Sequence, residues 1–156
     1  MIKMMRVDHR LLHGQVAFSW TSTLSANCIL IADDETAVNE LKKTTMKLAK
    51  PNGVKLVIKS IKDSIEALNK GVTDKYKLFI VVSSIEDANK IIRGYPSIKN
   101  LNIGSTLPRE DKTNISKTIV IDKKEKNILK GLIGDGVNIN IQMVPSDTKL
   151  NVKNLI

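Results

Sequence analysis

Both histidines of the protein lie in one short segment whose residue types suit phosphoryl chemistry. Residues 6–16 read RVDHRLLHGQV and contain His9, His13, two arginines and an aspartate. An imidazole is a competent nucleophile near neutral pH because a large share of it is unprotonated there. His9 taken alone is typical of a polar surface residue, whereas His13 has neighbours suited to holding an anion. The segment therefore predicts a covalent phosphoryl carrier with His13 as the nucleophile.

The residues after His13 predict the start of a helix, and with it a site for an anion. Gly14 lets a ligand approach the backbone closely because it has no Cβ. The amides of Gly14, Gln15 and Val16 would be the unpaired donors of a helix N-terminus, which attract negative charge. A phosphoryl dianion on His13 would lie in that field.

Two charged residues of the same turn complete the predicted site. Arg10 can present a planar fork of donors to phosphate oxygens, which a lysine cannot reproduce. Asp8 could orient an imidazole or hold Arg10 in place. We therefore expect Arg10 to stabilise the phosphoryl group and Asp8 to support the turn.

The elements that must position these residues follow from the hydrophobic pattern. Short apolar runs alternate with segments of helical period, which is typical of a parallel sheet covered by helices on both faces. We predict a single α/β domain over residues 1–156 with a mostly parallel, seven-stranded sheet. The predicted strands are Ile2–Val7, Cys28–Ala32, Val54–Lys59, Lys77–Val82, Ile98–Ile103, Thr118–Ile121 and Val137–Met143.

Helices are predicted from capping residues and from apolar positions spaced three or four residues apart. One helix is expected over Glu35–Ala49. Its predicted apolar stripe is Val38, Leu41, Thr45 and Leu48. A small capping residue three positions before an acid predicts further helix starts at Ser60 with Asp63, Ser84 with Asp87, and Asp122 with Glu125. The predicted left-handed end caps are Gly71, Gly94 and Gly134.

One long connection, residues 104–117, has no clear period and carries Pro108, Arg109, Asp111 and Lys112. Loops of this length in compact domains are often functional. The connection follows a strand, so we expect it to leave the carboxyl edge of the sheet, where open α/β sheets bind their ligands.

Composition points to a folded domain in a reducing compartment. A hydrophobic fraction of 42% and a charged fraction of 26% are typical of globular proteins. The only cysteine, Cys28, lies in an apolar run, so we predict a buried and unreactive thiol. No apolar run approaches the roughly 20 residues of a membrane span, and the N-terminal residues lack the pattern of a secretion signal. We therefore expect a cytoplasmic protein.

The formal net charge of +9 permits a nucleic acid, an anionic membrane or an acidic protein as partner. Aromatic residues make up only 3% of the chain, and the lysines do not alternate with stacking residues. Nucleic acid is therefore not expected, although a basic RNA-binding module stays as an alternative function.

Two enzymatic alternatives use the same residues differently. His9 and His13 could act as the acid and base of a hydrolase, but no second anchored catalytic element accompanies them. Asp33 and Asp34 could hold a magnesium ion in a receiver-like domain, but a matching acid pocket from another strand end is not evident. We expect these aspartates to cap the following helix or to shape the His13 turn, and no metal or other cofactor is predicted.

Residues 6–16 resemble the signature of the IIB domains of mannose-family sugar phosphotransferase systems (PTS; mannose/fructose/sorbose type). The resemblance extends over nearly the whole chain, through IADD at 31–34, PNGV at 51–54, NIG at 102–104, Arg109 with Lys112-Thr113, and VPSDTKL at 144–150. Two positions depart from the family pattern. His9 stands where family members often have an acid, and Ser105 stands where a second glycine often follows.

The resemblance implies a cytoplasmic phosphocarrier that associates peripherally with the membrane through other subunits. In the family, the histidine matching His13 receives a phosphoryl group from a histidine of the IIA protein. It passes the group to a sugar held by the IIC and IID membrane subunits, which recognise the sugar. The residue matching Arg10 stabilises the group in transit, and we expect Arg6, Asp33 and Asn102 to support the phosphate-binding turn. A homo-oligomer is compatible with the sequence.

Overall fold

A computed structural model gives the fold of residues 1–156, in which strands and helices alternate. The strands are β1 (Ile2–Asp8), β2 (Cys28–Ala32), β3 (Lys55–Lys59), β4 (Leu78–Val82), β5 (Asn100–Ser105), β6 (Thr113–Asn114), β7 (Val120–Ile121), β8 (Asn138–Ile141) and β9 (Leu150–Asn151). The helices are α1 (Gly14–Leu24), α2 (Asp34–Ala37), α3 (Glu40–Ala49), α4 (Ile61–Asn69), α5 (Ile85–Gly94) and α6 (Lys123–Gly134). None of them combines the length and the apolar character that crossing a membrane requires.

Seven strands form one sheet in the order β3-β2-β4-β1-β5-β8-β9. Every neighbouring pair is parallel except β8 with β9, so the predicted α/β class and the mostly parallel sheet are confirmed. The prediction of Thr118–Ile121 as a strand of this sheet is wrong, because Val120–Ile121 pairs with β6 in a separate antiparallel hairpin. The seventh strand is instead β9, which pairs with β8. Its two residues are exposed and show no apolar pattern from which a strand could be predicted.

The sheet has a hydrophobic core on each face. Ile29 and Ile31 of β2 pack with α1 and α3, whereas Cys28 and Leu30 point to the face covered by α4, α5 and α6. Strands β2 and β4 are buried along their whole length, as expected for central parallel strands that read CILIA and LFIVV. Cys28 is buried as predicted, and burial raises the pKa of its thiol.

The carboxyl end of β1 lies at the point in the sheet where the connections between strands change direction. β1 lies between β4 and β5. It leads into α1 on one face, while the helices that follow β4 and β5 pack on the opposite face. The connections therefore diverge at this point and leave a crevice, which is where ligands bind in open α/β sheets.

The predicted helix over Glu35–Ala49 is two helices, so this prediction is wrong. Asn39 has an extended backbone, and its side chain accepts a hydrogen bond from the Lys42 amide at 3.0 Å, which starts α3 anew. Met46 is the buried residue of α3, and it packs against the sheet. The predicted apolar stripe consequently faces solvent at Val38, Leu41, Thr45 and Leu48.

The predicted caps agree with the structure in most positions. Each of the three predicted capping side chains accepts a bond from the amide three residues on: Ser60, Ser84 and Asp122. Gly71 follows α4 with φ of +74°, as predicted. Gly94 and Gly134 are instead the last residues of their helices, and Gly136 takes the left-handed position after α6 with φ of +89°.

The connection after β5 leaves the carboxyl edge of the sheet, as predicted, and it is held in place. Lys112 and Glu125 form an ion pair of 3.0 Å whose side chains are both 8% exposed. This pair ties the connection to the first turn of α6.

Arg6 joins three parts of the sheet at this edge. Its side chain is 2% exposed. Nη1 donates to Asn102 Oδ1 at 2.6 Å and to the Gln142 carbonyl at 3.0 Å. Nη2 donates to Asp8 Oδ2 at 3.2 Å and to the Met143 carbonyl at 2.9 Å. The guanidinium therefore connects β1, β5 and the segment after β8.

Two neighbouring residues define the space that the buried guanidinium of Arg6 occupies. The Trp20 ring of α1 lies against it, with Cζ of Arg6 5.4 Å from the ring centroid. Gly104 also lies next to the guanidinium, and a Cβ added to Gly104 would come within 2.0 Å of Nη2 of Arg6. Only glycine leaves space for Arg6 at this position.

We predict that Gly104→Ala destabilises the fold by roughly 1–3 kcal/mol, because the methyl group displaces a guanidinium that four hydrogen bonds hold in place. Urea denaturation measures the change in the free energy of unfolding. Gly134→Ala is the matched control, since its added Cβ would meet no atom within 4 Å. Equal stability of the two variants would contradict the role given to Gly104.

Candidate active site

The connection from β1 to α1 is a compact turn that brings His13 back beside Asp8. The Leu11 amide donates to the Asp8 carbonyl at 2.8 Å, and Leu11 has a φ of 57°. Leu12 is buried among α1 and α3 and anchors the turn. Gly14 has a φ of +43°, in the left-handed region that favours glycine.

Asp8 is the centre of the turn, and its side chain is 1% exposed. Oδ2 accepts from His13 Nε2 at 2.9 Å and from Arg6 Nη2 at 3.2 Å. Oδ1 accepts from the Arg10 amide at 3.0 Å and from Ser105 Oγ at 2.9 Å. Burial pushes the pKa of Asp8 upward, but the hydrogen bonds from His13 and the Arg10 amide and the charge of Arg6 outweigh it and hold the pKa below its usual value. The carboxylate is therefore ionised and only accepts hydrogen bonds.

The contact with Asp8 decides which nitrogen of His13 is available. An ionised carboxylate cannot donate, so the proton of the neutral ring lies on Nε2. Nδ1 then carries the lone pair and makes no hydrogen bond within the chain. The side chain is 19% exposed, so a reaction partner can reach it. The imidazole of His13 is thus held in one orientation, with the Nδ1 lone pair free of hydrogen bonds.

The first turn of α1 offers hydrogen-bond donors next to His13. His13 is the N-cap residue, yet its side chain makes no capping hydrogen bond, and no acid lies in the first turn. The amides of Gly14, Gln15 and Val16 therefore keep their unpaired N–H groups. Their donors and the positive end of the helix favour an anion attached to His13.

Arg10 is fixed at its backbone and free at its side chain. Its amide donates to Asp8, while its guanidinium is exposed and has no hydrogen-bond or ion-pair partner. The guanidinium can therefore contact a phosphoryl group that approaches His13, which lies three positions further along the chain.

The structure brings together all but one of the predicted site residues. Asn102 joins the site through Arg6, and its Nδ2 donates to Asn140 Oδ1 at 3.0 Å. The expected support from Asp33 is not found. Its carboxylate accepts from the amide and hydroxyl of Thr36 and from Ser83, so Asp33 caps α2 and makes no bond to the His13 turn.

Several residues that contact Arg6 could not be identified as site residues from the local sequence pattern. The backbone carbonyls of Gln142 and Met143 accept hydrogen bonds from Arg6. The Trp20 ring packs on Arg6, and its Nε1 donates to the Met143 carbonyl at 2.8 Å. Backbone acceptors have no residue signature, so only the fold reveals them.

The two histidines occupy different positions around Asp8. His9 Nδ1 lies 2.9 Å from Ser105 Oγ, and Ser105 in turn donates to Asp8. His13 is thus bound directly to Oδ2 of Asp8, whereas His9 is connected to Oδ1 of Asp8 through Ser105. Ser105, where the family pattern often has glycine, supplies the link.

The acidic residues after β2 act as structural caps. Asp34 Oδ1 accepts from the Ile61 amide at 2.8 Å, which ties α2 to the start of α4. No group of three or more histidine, cysteine, aspartate or glutamate side chains is arranged to hold a metal ion.

Comparisons with known proteins point to one family. Residues 2–156 match the family model described as "PTS system sorbose subfamily IIB component". The chain is 34% identical to a probable phosphotransferase enzyme IIB component of Streptococcus pyogenes serotype M6, with 100% of this chain and 99% of the relative covered. It is 27% identical to the mannose-specific EIIAB component of Escherichia coli K12, where 99% of this chain spans 48% of the relative.

A solved structure gives the same result. The IIBSor domain of the sorbose permease of Klebsiella pneumoniae superposes with a TM-score of 0.93 at 26% identity, covering 99% of this chain and 94% of that domain. The sequence match over residues 2–156 and the matching fold agree with each other. The chain therefore belongs to the sorbose subfamily of IIB components and is a phosphotransferase of a sugar phosphotransferase system.

Proposed function

We propose that His13 Nδ1 accepts a phosphoryl group from a phosphohistidine of a IIA protein and passes it to a sugar held by IIC and IID membrane subunits. The observation that carries this proposal is the hydrogen bond from His13 Nε2 to Asp8 at 2.9 Å. It leaves the lone pair on Nδ1, beside the free amides of α1.

The transfer needs no cofactor in this scheme. The Nδ1 lone pair forms the new bond to phosphorus while the donor phosphorus–nitrogen bond breaks, and that electron pair returns to the donor imidazole. The His13 ring gains positive charge, and its Nε2–H faces the Asp8 carboxylate, which stabilises that charge. In the second transfer the phosphorus–Nδ1 bond breaks and its electron pair returns to Nδ1, while the sugar oxygen becomes bonded to phosphorus and its hydroxyl proton leaves to solvent or to a base near the sugar.

The phosphoryl oxygens have two sets of donors in the turn. The amides of Gly14, Gln15 and Val16 stabilise them from one side, and the Arg10 guanidinium is free to do so from another. In phosphoryl transfer the protein mainly positions the reactants and stabilises charge on the transferring group. Arg10 is therefore assigned a catalytic role.

The proposed partners follow from the family. A mannose-specific relative is named EIIAB, which supports a IIA protein as donor. The net charge of +9 favours association with negatively charged surfaces, including those at a membrane. We place the protein in the cytoplasm, where docking to IIC and IID would hold it at the membrane.

The direct test is phosphorylation of the protein in a reconstituted system. Incubation with phosphoenolpyruvate, the general phosphocarriers and a matching IIA protein should add one phosphoryl group by mass. The label should be acid-labile and base-stable, as a phosphorus–nitrogen bond requires, whereas an aspartyl phosphate would hydrolyse in base. No mass gain with functional partners would refute the assignment.

His13→Ala should abolish phosphoryl acceptance and leave the fold intact, because the residue lies on a turn and packs little. Circular dichroism checks the fold, and mass spectrometry checks the label. His9→Asn is the matched control, since we assign His9 no covalent role, and it should still be labelled. A label on the His13 variant would mean that another residue is the acceptor.

Asp8→Asn should slow acceptance by roughly 10²–10⁴-fold, since loss of a tautomer-setting carboxylate has effects of this size in other enzymes. The amide of asparagine can donate to Nε2, which moves the ring proton to Nδ1 and removes the nucleophilic lone pair. Rapid-quench kinetics measure the rate, and the ring nitrogen chemical shifts report the tautomer. A slow variant with the proton still on Nε2 would contradict this cause.

Arg10→Lys should slow transfer by roughly tenfold to a thousandfold, because it loses one or two charge-assisted contacts of ~1.5–3 kcal/mol each. Rapid-quench measurement over a range of phosphorylated IIA concentrations separates the rate at saturation from docking. Arg93→Lys is the matched control, since Arg93 lies at the far end of α5 and pairs with Asp135. A saturating rate within about twofold of wild type would remove Arg10 from the chemistry.

A further inference from the structure

The two histidines are connected by a continuous chain of hydrogen bonds. His9 Nδ1 lies 2.9 Å from Ser105 Oγ, Ser105 Oγ lies 2.9 Å from Asp8 Oδ1, and Asp8 Oδ2 lies 2.9 Å from His13 Nε2. Asp8 is buried, and the other three side chains are buried or half-buried. A change of charge at one imidazole is therefore transmitted to the other through bonded groups with little access to water.

The donors and acceptors of this chain follow from its centre. Asp8 is ionised and can only accept, so the single hydroxyl proton of Ser105 points to Asp8. The Ser105 oxygen must then accept from His9, which keeps a proton on Nδ1. His9 consequently gains and loses its second proton at Nε2, and the chain stays intact in both states.

His9 also lines a cleft of about 360 Å³ at the carboxyl edge of the sheet. The charged groups of other elements in this cleft are Glu35, Glu86, Arg109, Lys112, Asp122 and Glu125. Each has a fixed partner, either in an ion pair or, for Asp122, in the cap of α6. None of these groups takes part in the proposed reaction, so their charges stay the same while His13 is phosphorylated.

The charges of its own turn act on His9 directly. Burial lowers the pKa of His9, the Asp8 carboxylate opposes this shift, and positive charge at Arg10 and His13 lowers the pKa further. Of these groups, only His13 changes its charge in the proposed reaction.

We infer that His9, which Ser105 and Asp8 connect to His13, takes up a proton when His13 is phosphorylated, so that transfer onto this protein is linked to pH. The inference rests on the proposed function of His13. The phosphoryl dianion and the positively charged His13 ring together carry one net negative charge where the free ring was neutral, and this net charge favours the imidazolium form of His9, whose proton comes from solvent. Because the phosphorylated form then binds more protons, falling pH shifts the transfer equilibrium toward it.

Nuclear magnetic resonance of the wild-type chain tests this without a variant. The ring signals of His9 are titrated over pH ~5.5–8, the range in which imidazoles exchange protons, in the free and in the phosphorylated protein. We expect the pKa of His9 to rise by about one unit on phosphorylation, the low end of the effect of a nearby opposite charge. A phosphorylated protein in which the pKa of His9 is unmoved would overturn the inference alone, whereas absence of any mass gain would overturn it together with the proposed function.

His9→Asn gives the matched comparison, because its amide can still donate to Ser105 but cannot titrate. The fraction phosphorylated at fixed IIA composition is measured against pH for both proteins. The wild-type equilibrium should shift by up to about tenfold more than that of the variant across the titration, which is the equivalent of one pKa unit. Identical pH profiles would overturn the inference, since a merely structural histidine would not alter the slope.

Discussion

Arg6 and Asp8 form an ion pair that is almost wholly removed from water, with side chains 2% and 1% exposed. Burial of two charges costs several kcal/mol per ion unless further hydrogen bonds satisfy them. Here the guanidinium also reaches Asn102 and two backbone carbonyls, and the carboxylate accepts from four donors. The pair therefore holds the end of β1, the end of β5 and the β1–α1 turn in one arrangement.

An ionised, buried Asp8 also decides where protons lie around it. Because it can only accept, it orders the proton of His13 on one side and that of Ser105 on the other. The tautomer of His13 and the direction of the hydrogen bonds that lead to His9 thus have one cause. A carboxylate in this position does for a phosphocarrier what orienting acids do for other catalytic histidines.

The fold explains why this pair can serve a reaction with large partners. The β1–α1 turn stands at the switch point of the sheet, so the His13 ring lies at an open edge, where its side chain is 19% exposed. A carrier that must meet a donor protein and then an acceptor needs such access. Family membership agrees with this arrangement and decides between the carrier and the alternatives of a hydrolase, a receiver-like domain or an RNA-binding module.

Local features were readable from the sequence because they depend on residues a few positions apart. The β1–α1 turn with His13, the caps at Ser60 and Ser84 and the buried strands all follow from short-range pattern. Family resemblance added the expected donor and acceptor of the phosphoryl group, which no pattern within the chain could indicate. The single helix over Glu35–Ala49 failed because the pattern could not show that Asn39 restarts the helix and turns the apolar stripe outward.

Contacts between distant residues were decided only by the tertiary structure. Arg6 bonds to carbonyls 136 and 137 positions away, and Ser105 reaches Asp8 across 97 positions. No local pattern encodes these pairings, since they arise when parallel strands bring their carboxyl ends to one edge. The sequence by itself thus determined which histidine is the candidate nucleophile and which donors surround it. The assembled sheet decided how the carboxylate of Asp8 is held against the ring of His13, because Ser105 and the acceptors of Arg6 reach this edge only when β1, β5 and the segment after β8 lie together.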